Sequence, residues 1–175
     1  DGTLTPKSMQ EYTLLPKLGI NSQSFWGNIV KEAKETGGES MMIYMRQLLD
    51  HAKSKNIRIS KDEFFKMGKD IQYYNGVVEW FKNIDRYVKK ISYGEVEIYH
   101  YIISAGHMEI LEGISIKKYI KKIFASEYFY NDEQHAVFPK IVVTDTTKTQ
   151  YLFRINKGKE HLSDNINSHM PENKR

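Results

Sequence analysis

The spacing of apolar residues predicts that the first half of the chain is helical. The first predicted helix begins at Ser22, and the second covers residues 39–52. The pair Gly37-Gly38 separates them. In the first of them, apolar side chains recur on one helix face at Phe25, Trp26, Ile29 and Val30.

Two more helices are predicted before residue 88. Ser60 followed by Glu63 forms a capping-box pattern, which begins the third helix. The turn pair Asn75-Gly76 precedes the fourth helix. Four helices with no strand between them predict a helical lobe.

The second half has the pattern of strands that alternate with helices. Residues 97–103 are rich in β-branched and aromatic side chains and lead into Ser104-Ala105-Gly106, which predicts a buried strand and a turn. This alternation favours an α/β fold with a parallel sheet. Helices are expected at 108–112, 116–123 and 149–155, and short strands at 124–130 and 140–143.

Composition limits the class of protein. The chain has 175 residues, of which 40% are hydrophobic and 27% charged, as in a soluble globular protein. Cysteine is absent, which excludes disulfides, a thiol nucleophile and cysteine-bound zinc. No apolar run reaches the length of about 18–20 residues that a membrane span needs, and the cytoplasm is the default location.

The charge pattern does not favour nucleic acid as a partner. The net charge is +4, and much of it comes from lysine pairs at 89–90, 117–118 and 121–122, which we expect on a solvated helix surface. The aromatic residues lie among aliphatic residues rather than basic ones, which is typical of a core and not of a base-stacking surface. A polyanion partner is therefore a distant alternative, detectable by salt-dependent retention.

The opening segment Asp1-Gly2-Thr3-Leu4-Thr5 carries the strongest chemical signal. A glycine after a carboxylate lets the backbone turn tightly and point amides at a phosphate, although Asp-Gly is also a common turn pair. The segment resembles the second half of the DxDGTLT signature of the haloacid dehalogenase-like (HAD) phosphatase superfamily. That resemblance implies that Asp1 is the general acid/base and a Mg²⁺ ligand, that Thr3 contacts phosphate, and that a nucleophilic aspartate lies two residues before Asp1.

Two later segments extend this resemblance. Ser104-Ala105-Gly106 resembles the second core motif of the family, in which a hydroxyl at a strand end and free amides bind phosphate oxygens. Alternatively, Ser104 caps the following helix. Lys148 resembles the family lysine that follows a later strand, where a cation holds the phosphoryl group. Lys157 is the runner-up, but it fits better as the C-terminal cap of the last helix.

The resemblance also implies a domain organisation. It is closest to the branch with phosphoserine phosphatase-like relatives, with a doubly wound (Rossmann-like) parallel sheet and an inserted helical cap. Residues 1–12 would belong to the catalytic loop of the core, 13–74 to the cap and 75–175 to the α/β core. The acidic family motif that completes the metal site has no match after Lys148, and we expect it beyond residue 175.

The expected function is a Mg²⁺-dependent phosphomonoester hydrolase that acts on a small phosphorylated metabolite through an aspartyl-phosphate intermediate. Because the nucleophile and one metal carboxylate would lie outside residues 1–175, this stretch alone is expected to be inactive. Two alternatives remain: a phosphotransferase on the same fold, and a non-catalytic binding module that retains the fold. The histidines lack a metal-binding spacing, and His107 is expected at a helix N-terminus on the surface.

Overall fold

A computed structural model describes residues 2–169 of the chain. Within this range the protein is a mixed α/β protein with eight α-helices, two 3-10 turns and three strands. The bounds are α1 Met9–Tyr12, α2 Leu14–Lys17, α3 Ser22–Thr36, α4 Ser40–Ser54, α5 Lys61–Met67, a 3-10 turn Gly68–Asp70, α6 Val77–Ile91, β1 His100–His107, α7 Met108–Glu112, a 3-10 turn Lys117–Tyr119, β2 Ile120–Tyr130, β3 Ala136–Ile141 and α8 Lys148–Asn156.

The four helices predicted between residues 22 and 88 are confirmed as α3, α4, α5 and α6. The side-chain oxygen of Asn21 accepts a hydrogen bond from the Ser24 amide and begins α3, and Gly37, with a φ of 69°, ends it. Helix α5 begins with the predicted capping box between Ser60 and Glu63. Local capping chemistry therefore sets these boundaries.

The sheet is small and mixed. Strand β1 runs parallel to β2, with His100 opposite Ile120, and β2 runs antiparallel to β3. The prediction of a purely parallel sheet is therefore wrong for these strands. The turn over residues 131–135, closed by a bond from the Asn131 amide to the His135 carbonyl, is too short for a parallel crossover.

Several boundaries in the second half also differ from the prediction. The helix expected over 116–123 is instead a 3-10 turn followed by the start of β2, so Lys121 and Lys122 lie on a strand and not on a helix surface. Strand β1 begins three residues later than expected and continues through Ser104 to His107. The strand expected over 140–143 is β3, which ends at Ile141.

One continuous apolar core joins the helical half to the sheet. Its buried members include Phe25 and Phe64 from the helices and Ile123 and Tyr128 from β2. The rings of Phe64 and Tyr128 stack with their centroids 6.0 Å apart. The domain boundary at residue 74 remains a prediction. The apolar core includes residues on both sides of this boundary. None of the helices described between residues 2 and 169 is both long and apolar enough to cross a membrane.

Candidate functional site

A cavity of about 710 Å³ runs along β1. Its volume is in the range of small-molecule sites in proteins. Residues that are far apart in the sequence line it together, and they include most of the predicted site residues: Thr3, Ser104, Ala105, Gly106 and Lys148. Asp1, the predicted acid/base and metal ligand, lies outside the described residues.

The loop before α1 forms one wall of the cavity. Gly2, with a φ of 68°, donates its amide to the Thr5 carbonyl at 2.8 Å. The amide of Tyr74, just before α6, donates to the Leu4 carbonyl at 3.0 Å. These bonds hold Thr3 at the cavity, where its side chain is exposed.

The carboxyl end of β1 forms the second wall. The Ser104 hydroxyl accepts a hydrogen bond from the Gly106 amide at 3.0 Å. Helix α7 begins after His107 without a side-chain cap, so the alternative that Ser104 caps this helix is wrong. A Cβ at Gly106 would collide with the Met9 side chain, and glycine therefore lets α1 pack against the end of β1.

A buried serine connects this wall to the loop that carries Lys148. The Ser126 hydroxyl donates to the Ala105 carbonyl and accepts from the Val143 amide, both at 3.0 Å. Ser126 has no solvent exposure. Because its hydroxyl bonds both segments, it fixes the end of β1 relative to the chain that leads into α8. A single serine in an apolar strand gave no signal in the sequence.

Lys148 is the first residue of α8. The turn before it is closed by two reciprocal bonds, from the Thr144 amide to the Thr147 hydroxyl at 2.7 Å and from the Thr147 amide to the Thr144 hydroxyl at 3.1 Å. The Lys148 ammonium lies 3.0 Å from the carboxylate of Asp145, which is 96% exposed. An exposed pair of this kind contributes at most about 1 kcal/mol, so an anionic ligand can replace the carboxylate. The runner-up, Lys157, is the C-cap of α8, as expected.

The described residues do not by themselves form a magnesium site. Mg²⁺ prefers several oxygen ligands in an octahedron, usually with carboxylates among them. Asp145 is the one carboxylate among the described residues that line the cavity. Across residues 2–169, no three Asp, Glu or His side chains are grouped so that they could bind a metal ion.

A buried chain of polar side chains lies next to these walls. The Gln10 amide nitrogen donates to the Tyr44 hydroxyl at 2.7 Å, and that hydroxyl lies 2.5 Å from Nε2 of His107. The His107 ring lies against the rings of Phe64 and Tyr128, at 5.1 and 5.2 Å. His107 is 0% exposed, so the surface position expected for it is wrong.

Burial sets the protonation of the two titratable groups in this chain. Burial lowers the pKa of His107 to about 3, so its ring is neutral at ordinary pH. The Tyr44 hydroxyl accepts from Gln10, and its oxygen lies within hydrogen-bond distance of Nε2 of His107. Burial also raises the pKa of Tyr44, so the hydroxyl keeps its proton. Sequence reasoning missed Gln10 and Tyr44 because the contacts that define them span 34 and 63 residues.

Comparison with known proteins adds a relative but no family. No protein-family model matches the chain. An uncharacterized protein of Borreliella burgdorferi is 26% identical over 196 residues, in an alignment that covers all of this chain and 67% of that protein. Because that protein is uncharacterized, the similarity carries no activity over to the present chain.

Proposed function

We propose that the protein is a phosphomonoester hydrolase of the HAD type that acts on a small phosphorylated metabolite, with a doubly wound core and an inserted helical cap. One observation supports this proposal above the others. The residues that the resemblance assigns to phosphate, Thr3, Ser104, Ala105 and Gly106, line one cavity together with Lys148.

In this mechanism a carboxylate oxygen two residues before Asp1 attacks phosphorus, the ester P–O bond breaks, and Asp1 gives its proton to the leaving oxygen. Water then attacks the aspartyl-phosphate while Asp1 takes a proton back, which releases phosphate and restores both carboxyl groups. The resemblance also implies Mg²⁺ as cofactor, with Asp1 as one ligand, but the described residues do not supply the rest of its ligand set.

Lys148 and Ser104 hold the phosphoryl group. A phosphate monoester carries close to two negative charges near pH 7, against one on Asp145, so Lys148 gains attraction when the ligand replaces its present partner. The Ser104 hydroxyl accepts from Gly106 with a lone pair, and within the described residues its own proton bonds no protein acceptor. This proton can therefore be donated to a phosphoryl oxygen.

Phosphate release from a panel of phosphomonoesters, measured with Mg²⁺ on the full-length protein, tests the proposal. Lys148→Ala is expected to lower kcat/KM by about 100-fold or more, as for the loss of one group that stabilises developing charge. Lys157→Ala is the matched control, because it removes a lysine from the other end of the same helix, and it should stay close to wild type.

Two outcomes contradict the assignment. If no substrate is hydrolysed, the protein is not a phosphatase of this kind, and binding of inorganic phosphate without release would favour a non-catalytic binding module. If Lys148→Ala and Lys157→Ala behave alike, Lys148 does not hold the phosphoryl group. The codons before Asp1 give an independent check, since the mechanism requires an aspartate at the second position upstream.

A further inference from the structure

We infer that the cavity has a second subsite, which binds the leaving alcohol of the substrate through apolar contacts. The inference rests on the proposed function, because it concerns the part of the phosphomonoester that leaves. Four side chains from the helical half of the chain form this subsite, here called the apolar wall: Trp26, Met41, Ile71 and Tyr73. The substrate class that it selects is the phosphate monoester of an uncharged, largely apolar alcohol.

The first observation is that the apolar wall keeps uncovered surface at the cavity. Each of its four side chains lines the cavity and is only half-buried. Other aromatic side chains on the same two helices are covered completely: Phe25 is 1% exposed and Tyr44 is 0% exposed. A molecule in the cavity can therefore touch the wall residues directly. Aromatic and aliphatic side chains predominate in small-molecule sites, where they contact the body of the ligand.

The second observation is that Trp26 is held near the end of β1. Its ring lies 5.3 Å from the Tyr44 ring, at 33° to it. The Tyr44 ring lies in turn 5.5 Å from the ring of His107, the last residue of β1. Both partners are fully buried, so this packing fixes the position of the Trp26 ring. Ser104 lies three residues before His107, at the same end of the strand.

The third observation is that Tyr73 is held next to the loop of Thr3. The amide of the following residue, Tyr74, donates to the Leu4 carbonyl at 3.0 Å. Thr3, to which the resemblance assigns a phosphate contact, precedes Leu4 and lines the same cavity. The apolar wall therefore adjoins the proposed phosphate position through two separate sets of contacts, within reach of the leaving alcohol of a bound phosphomonoester.

The fourth observation is the distribution of charge. Among the described residues that line the cavity, Asp145 and Lys148 are the only Asp, Glu, Lys or Arg side chains, and they pair with each other at 3.0 Å. The apolar wall thus supplies no charge that could neutralise an ionic group on the alcohol, and burying an unpaired charge is unfavourable. An uncharged carbon skeleton fits this wall, and each methylene that it buries should strengthen binding by about fourfold.

A pair of unbranched alkyl esters tests the subsite. Ethyl phosphate and hexyl phosphate have leaving alcohols of similar acidity and differ by four methylenes. The wild-type full-length protein is expected to prefer hexyl phosphate by about tenfold or more in kcat/KM, which requires burial of only about two of these methylenes. In Trp26→Ala and in Tyr73→Ala this ratio should fall by about threefold or more, because each substitution removes a surface that covers the alkyl chain.

Trp80→Ala is the matched control. Trp80 lines the same cavity, but its ring lies 5.4 Å from His100, at the beginning of β1. His100 is four residues before Ser104, about 13 Å along an extended strand, so this variant should keep the wild-type ratio. A general loss of stability would lower both rates but would leave their ratio unchanged. If Trp26→Ala fails to fold, as judged by circular dichroism, the milder Trp26→Leu and Tyr73→Ala give the same test.

A second pair of esters tests the charge of the alcohol. The compounds 3,3-dimethylbutyl phosphate and phosphocholine have the same shape, but phosphocholine carries a quaternary ammonium group, which aromatic side chains can also bind. The neutral ester is expected to be preferred by about tenfold or more in kcat/KM, because the apolar wall has no carboxylate to pair with the cation. The ammonium group makes choline the better leaving group, so a preference for the neutral ester must come from binding.

The outcomes separate the two proposals. Equal kcat/KM values for ethyl and hexyl phosphate, a ratio that neither Trp26→Ala nor Tyr73→Ala lowers, or a preference for phosphocholine overturns the inference and leaves the proposed function standing. A ratio that falls only in Trp80→Ala also overturns it, because the alcohol then extends along β1. If no ester is hydrolysed, the proposed function fails. In that case calorimetric binding of ethyl and hexyl phosphate still tests the apolar wall, because equal affinities would overturn its role.

Discussion

The buried His107 should make folding stability strongly dependent on pH. Burial lowers the pKa of its ring to about 3, against 6.5 for an ordinary histidine. Between these values the unfolded chain binds a proton at this position and the folded protein does not. The stability that the neutral His107 ring contributes to the folded protein is therefore complete above pH 6.5 and is lost as the pH falls towards 3.

At pH 5 this loss can be worked out. Protonation favours the unfolded state by a factor of about 30 for a histidine with a pKa of 6.5, which corresponds to about 2 kcal/mol. The folded protein is almost unprotonated at this position at pH 5 if its pKa is about 3. The result is nearly the same for any folded-state pKa below about 4, because the unfolded state dominates the ratio.

Urea unfolding, followed by tryptophan fluorescence at pH 8 and pH 5, measures the effect. The His107→Gln variant keeps an oxygen that can accept from Tyr44, but it cannot be protonated. Its free energy of unfolding should fall by about 2 kcal/mol less than that of wild type between the two pH values. Other titrating groups act equally in both proteins and cancel in this comparison.

The matched control is His161→Gln, which replaces an exposed histidine. This control should show the full wild-type loss between pH 8 and pH 5. If His107→Gln shows the same loss as wild type, His107 takes up its proton in the folded state and is not held neutral. If His161→Gln removes the dependence equally well, burial is not its cause.

Three further predictions concern stability. Ser126→Ala leaves the Val143 amide and the Ala105 carbonyl without their hydrogen-bond partner, so it should lower the free energy of urea unfolding by about 2 kcal/mol. The control Ser54→Ala replaces an exposed serine and should change this free energy little; equal effects of the two substitutions would contradict the bridging role of Ser126. Burial raises the pKa of Glu109, which means that its charged form destabilises the folded protein, so Glu109→Gln should raise Tm at pH 8. The gain in Tm should shrink at lower pH, where the wild-type carboxyl takes up its proton; a gain independent of pH would refute this. A Cβ at Gly113 would collide with the Phe65 carbonyl, so Gly113→Ala should lower Tm and destabilise the protein by about 1–3 kcal/mol. Gly27 lies on α3 with open space around its Cα, so Gly27→Ala should raise Tm; similar Tm values for the two variants would contradict the close contact at Gly113.

The parts of the fold that could be predicted are those set by local chemistry. The capping box at Ser60 and the glycine at position 37 depend on neighbours within a few residues, and they lie where the sequence predicts. Residues 116–123 were predicted wrongly because their apolar spacing fits a helix as well as a strand. From Ile120 onwards the residues form a strand because they pair in parallel with β1. A sequence pattern over a few neighbouring residues does not contain this long-range contact.

The candidate site divides in the same way. Thr3, Ser104 and Lys148 lie in short segments with a recognisable pattern, and the structure brings them to one cavity. Their assigned roles remain predictions. Gln10 and Ser126 have no local pattern, because each acquires its role from partners on other elements. Sequence patterns can identify groups that act on a ligand more readily than the groups that hold them in position.

The shared core has a consequence for how such a protein can diversify. Phe64 of α5 lies against His107 and Tyr128, and Tyr44 of α4 bonds His107, so the helical segment and the sheet are packed as one body. In a chimera with residues 13–74 from a distant homologue, the helical side of this interface would come from one protein and the side on β1 and β2 from the other. We therefore expect recombination at these boundaries to succeed only when the partners on β1 and β2 are exchanged as well.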